Sequence, residues 1–91
     1  VRFTIDIGDA EKHQIEYIFN QLAGQLEVKI NGQSVRKSRR LFNEPVLETH
    51  VFEVGTNERY HVRIEKERKP LLGHRNRVFV NNRLLKVVES K

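Results

Sequence analysis

Cysteine is absent from the sequence, which excludes disulfides, thiolate metal sites and cysteine nucleophiles and favours a cytoplasmic setting over secretion. No apolar run approaches the roughly 20 residues that a membrane-spanning helix requires, so no transmembrane segment is expected. The opening Val1-Arg2-Phe3-Thr4-Ile5-Asp6-Ile7 alternates too strictly for a signal peptide. The five glycines stand apart from one another, so there is no phosphate-cradling loop of the P-loop or dinucleotide type. Ser34, Ser38 and Ser90 lie in no nucleophile elbow. Asp6 and Asp9 at the first turn are the only neighbouring aspartates, and such a pair is more often solvated turn chemistry than an acid/base dyad. A chain of 91 residues fits one domain, burying roughly 65% of the surface its unfolded form exposes. We therefore expect residues 1–91 to form a single domain without catalytic machinery or cofactor.

What is present is alternation. Val1, Phe3, Ile5 and Ile7 fall on one side of an extended segment, and Ile15, Tyr17 and Phe19 repeat the pattern, a short helix being the competing assignment there. Leu26, Val28 and Ile30 precede Asn31-Gly32, the dipeptide best suited to the two positive φ angles of a type I′ hairpin turn. The turn should place Val28 opposite Val35. A second hairpin is expected where Val78-Phe79-Val80 meets Asn81-Asn82 and returns as Arg83 to Val87. Between the hairpins, Val46 to Val54 directs Phe52 and Val54 inward, and Arg59 to Glu65 does the same with Tyr60, Val62 and Ile64. Pro45 marks an edge or a strand start, and Lys69 to Gly73 reads as a loop. About eight short strands at these spacings predict an all-β fold, an antiparallel β-sandwich. No internal repeat is expected.

The run His13, Ile15, Tyr17, Gly24, Val28, Ile30-Asn31-Gly32, Val35, Lys37, Leu41-Phe42, Phe52, Val54-Gly55, Val62, Ile64, Gly73, Val78, Val80-Asn81-Asn82 and Leu84-Leu85-Lys86 resembles one β-sandwich domain of the Fas apoptotic inhibitory molecule family. The resemblance implies a compact antiparallel sandwich that modulates cytosolic signalling through protein contacts and has no enzymatic centre. It carries over no functional residue, and Arg40 stands ahead of Leu41-Phe42 where that family tends to place tryptophan.

Charge is the other feature. Residues 1–35 carry a net charge of −2 and residues 36–91 a net charge of +7, an imbalance that attracts anionic partners. Two clusters could form a polyanion-binding surface. One is Arg36, Lys37, Arg39 and Arg40, and the other is Lys66, Arg68, Lys69, Arg75 and Arg77. Guanidinium forks suit phosphates and carboxylates. Alternation on a strand, however, sends Arg36 and Arg40 to one side and Lys37 and Arg39 to the other, and charges on an edge strand also guard against aggregation. Phe3, Tyr17, Phe19, Phe52 and Phe79 read as core rather than as stacking platforms for bases. His50 and His61 could meet across paired strands, with Glu48 or His74 completing a metal site, but no short ligand spacing fixes such a site and none is assigned. The sequence thus predicts a non-enzymatic protein-interaction module of unspecified protein partner and oligomeric state. The alternative is a basic β domain that binds nucleic acid or another polyanion.

Overall fold

The computed structural model describes residues 1–20, 22–39, 46–70 and 73–89. Arg40, Leu41-Phe42 and Pro45 lie outside the described residues. The expected all-β class holds: eight strands form two antiparallel four-stranded sheets, with no helix among the described residues. By their internal contacts the residues divide into two compact units, Val1–Glu44 and Pro45–Lys91.

In the N-terminal unit, β1 (Arg2–Ile7), β2 (His13–Asn20), β3 (Gln25–Ile30) and β4 (Gln33–Arg39) pair in sequence order. The segment with a competing helical reading is strand β2. Its Ile15, Tyr17 and Phe19 face the same side as Phe3, Ile5 and Ile7 of β1 and Leu26 and Val28 of β3, and all eight are buried. Phe3 and Tyr17 are cross-strand partners whose rings stack at 4.7 Å. Burying each such side chain contributes about 1.5–3 kcal/mol relative to leaving it exposed, which fixes the register, because a slip by one residue would turn the whole set outward.

In the C-terminal unit, β5 (Leu47–Val54), β6 (Tyr60–Arg68), β7 (His74–Val80) and β8 (Arg83–Glu89) form the same meander. The likeness extends to details. Gly8 after β1 and Gly55 after β5 both have φ of 105°, a conformation that side-chain-bearing residues rarely adopt. Asn31 opens one hairpin turn and Asn81 the other, with φ of 52° and 51°. Each clamps the unit's second strand in the same way. The Gln14 backbone N–H donates to Asn31 Oδ1 and the Asn31 N–H donates to the Gln14 carbonyl, while His61 and Asn81 exchange the same two bonds, all at 2.8–2.9 Å. The chain therefore contains a structural repeat, contrary to the expectation of none.

Both turns carry positive φ at both central residues, as type I′ geometry requires. The expected partnership of Val28 with Val35 does not form. A bulge between Val28 and Lys29 makes Val35 the extra residue, and Arg36 becomes the partner of Val28. The other unit has its bulge between Val78 and Phe79, so that Lys86 partners Val78 and Leu85 is the extra residue. Phe79, expected in the core, instead lies on the outward face. There the Arg63 guanidinium covers its ring at 4.2 Å, a favourable cation–π arrangement.

Candidate interaction edges and a buried polar row

Strands β4 and β8 are the last strands of their sheets, and nearly every residue on them is exposed. An edge strand presents a row of backbone N–H and C=O groups that can accept another strand. On β4 the basic cluster is split as alternation demands. Arg36 and Ser38 are in register with Val28 and Leu26, whereas Lys37 and Arg39 are in register with Glu27 and Gln25 on the opposite face. Lys37 Nζ stands 3.8 Å from Glu27, with the lysine side chain 73% exposed. Arg40, the remaining member of this cluster, lies outside the described residues. Beside Lys37, Ser38 and Arg39 lies a shallow concavity of about 460 Å³, which Glu27 also lines.

The second basic cluster does not assemble as expected. Lys66 is 2% exposed and so is withdrawn from any surface patch. The physical reason is parity: it follows Ile64 by two residues on β6 and shares its inward face. Arg68 is exposed at the end of β6. Lys69, Arg75 and Arg77 are matched by carboxylates of their own unit. Arg75 Nε donates to Glu89 Oε1 at 2.6 Å, Lys69 Nζ lies 3.5 Å from Glu89 Oε2, and Arg77 Nη2 donates to Glu67 at 2.9 Å. The hydrogen bond from Arg75, reinforced by the charge of Lys69, holds the Glu89 carboxyl below the usual carboxylate range, and the same bond raises the Arg75 guanidinium.

No family model, curated protein or solved structure matches the chain. The geometry of the edges and of the buried face therefore carries the functional argument.

Strand β8 exposes more large apolar side chains than β4. Leu84, Leu85 and Val87 are 55%, 52% and 47% exposed. The sequence expectation covers these residues as the return strand of a hairpin, and the strand order makes that strand the end of its sheet. On a regular strand the adjacency of Leu84 and Leu85 signals that one of them faces away from the core, but it does not signal a sheet edge.

The C-terminal unit also holds a row of buried polar side chains that sequence reading missed. His50, Lys66, His74 and Asn76 are all at most 4% exposed. Lys66 lies between its cross-strand partners Glu48 and Asn76. His50 Nε2 donates to Glu48 Oε1 at 2.8 Å, and the Glu48 side chain is 10% exposed. Asn76 Nδ2 reaches the Val88 carbonyl at 3.4 Å, while its Oδ1 has no hydrogen-bond partner among the described residues. Extending the alternation of Phe52 and Ile64 by two and four residues would have found Glu48, His50 and Lys66.

The arrangement of His50 with His61 is ruled out by the same parity. His50 partners Ile64 on the buried face, whereas His61 partners Glu53 on the outward face, where its Nδ1 hydrogen-bonds that carboxylate at 2.6 Å. Among the described residues no group of three His, Asp or Glu side chains is placed to hold a metal ion. His13 is held between Glu11 and the Asn31 amide at 2.9 Å each, which orders the first hairpin.

Proposed function

We propose that the chain is a non-enzymatic protein-interaction module, acting in the cytoplasm, whose principal contact is the apolar edge strand β8. The observation that carries this reading is the exposure of Leu84, Leu85 and Val87 on the last strand of a sheet. Strand addition at such an edge draws affinity from main-chain hydrogen bonds and specificity from alternate side chains. The occupant is an extended apolar segment of a partner protein. The bulge at Leu85 and the charge of Lys86 on this strand limit indiscriminate pairing without closing the edge. The resemblance to the Fas apoptotic inhibitory molecule family supports the same reading, since that family works through protein contacts. The neutralisation of Lys69, Arg75 and Arg77 by Glu67 and Glu89 weighs against the alternative of one broad polyanion-binding face.

The test uses a soluble heptapeptide of alternating valine and serine as probe, with hydrogen exchange followed by mass spectrometry. Slowed exchange across Arg83 to Glu89, lost on Leu84→Lys with Leu85→Lys, is the expected result. Unchanged exchange across β8 at millimolar peptide overturns the reading.

A further inference from the structure

β4 and β8 close two like sheets and are bulged at the same place, yet their charges are opposite where it matters. β8 ends on Glu89, which is in register with Arg75 and binds it. At the matching place β4 ends on Arg39, in register with Gln25. Among the described residues Arg39 makes no ion pair. β4 carries Arg36, Lys37 and Arg39 and no carboxylate. The neighbouring Glu27 lies 3.8 Å from Lys37, and an exposed pair of this kind is worth at most about 1 kcal/mol, so a partner's carboxylate can displace it at Lys37.

The distribution of these cations selects the occupant. Past the bulge, Arg36 to Arg39 run in regular register with Val28 to Gln25 and so put Arg36 on one face and Lys37 and Arg39 on the other. A phosphate chain lying on one face would meet only part of that set. A strand added in the plane of the sheet sends its own side chains alternately to both faces, with directly opposed β-carbons roughly 4.5–5.5 Å apart. The side chains that stack bases in single-strand binders are aromatic, and here Phe3, Tyr17, Phe19 and Phe52 are buried.

We propose that the edge of β4 binds an extended acidic segment of a protein partner, adding it as a further strand with successive carboxylates meeting Arg36 on one face and Lys37 and Arg39 on the other. This goes beyond the β8 reading and involves a different strand, so either can fail while the other stands.

The experiment takes the whole chain and a terminally blocked peptide with a central run of glutamates, read by hydrogen exchange and by titration at two salt concentrations. The expected result is slowed exchange across Gln33 to Arg39, affinity that falls with salt, and a loss of about tenfold or more in Lys37→Glu with Arg39→Glu. Lys37→Gln with Arg39→Gln, a milder pair checked for native circular dichroism, should show a smaller loss in the same direction. A peptide N-methylated at alternate residues keeps its charge but cannot complete the ladder and should not bind. Equal binding of the N-methylated peptide overturns strand addition. Protection at β8 instead of β4, or tighter binding of an oligothymidylate of equal charge, overturns the assignment of this edge to acidic protein.

Discussion

The two units share a strand order, a bulge position and a pair of asparagine clamps, but they differ in the face they bury. In the N-terminal unit the buried row at the ends of β1, β2 and β3 holds Phe3, Phe19 and Leu26. The matching positions of the C-terminal unit are His50, Lys66 and Asn76, all buried as well. One backbone plan thus tolerates an apolar row and a polar row in the same place. The backbone requirements are met by Gly8 and Gly55 and by Asn31 and Asn81, and the side chains between them are free to differ so long as each buried polar group finds partners.

The comparison is broken most severely at Glu48. This carboxylate is the cross-strand partner of the buried Lys66 and the hydrogen-bond partner of the buried His50. Glu48→Ala should therefore cost about 3–5 kcal/mol in urea unfolding, while Glu48→Leu combined with Lys66→Met should recover part of that loss but not all of it, because His50 Nε2 is left buried without the acceptor that Glu48 Oε1 provides. If the double variant is as damaged as the single one, the polar row is required for more than mutual neutralisation.

A smaller effect asks whether the units are equivalent where they are identical. Val28 and Val78 are both fully buried, each beside its bulge. Val28→Ala and Val78→Ala should each destabilise by about 2 kcal/mol, from the lost methyl groups and the small cavity left. Equal shifts in the urea midpoint would show two cores of like packing. A much cheaper loss at Val78 would mean that the polar row collapses around a cavity more readily than the apolar one.

Much of this was legible beforehand because period-two alternation dictates which side chains share a face. Ile15, Tyr17 and Phe19 declared β2 a strand, and Asn31-Gly32 declared the turn between β3 and β4. The bulges were not legible, since a bulge depends on how two strands fit and not on either strand's pattern. This is why Val28 meets Arg36 and not Val35. Lys66 was misplaced because its charge was weighed ahead of its parity with Ile64. The repeat escaped notice because burial conserves position more than identity: Phe19 and Lys66 occupy matching places with nothing chemical in common. The cationic character of β4 and its division between two faces, by contrast, followed from the sequence directly. Which strand ends a sheet did not, because edge status is a property of the whole strand order.

The smallest expected effect separates the two turns. The second turn residue is Gly32 at φ of 81° in one unit and Asn82 at φ of 65° in the other. A β-carbon added at Gly32 would meet no atom within 4 Å, so any cost of Gly32→Ala is a backbone cost alone. Alanine has no side-chain oxygen with which to ease the left-handed conformation, and the penalty should be about 1 kcal/mol. Asn82→Gly removes a comparable but smaller strain and at the same time gives up the bond from Arg63 Nη1 to Asn82 Oδ1, an exposed contact at 3.0 Å. These two terms oppose each other, so its net shift should stay within about 0.5 kcal/mol. Thermal melts of the two variants against the parent measure both. A Gly32→Ala variant that melts with the parent would mean that the turn relaxes out of the left-handed region at no cost, and the two turns would then be alike in energy as well as in shape.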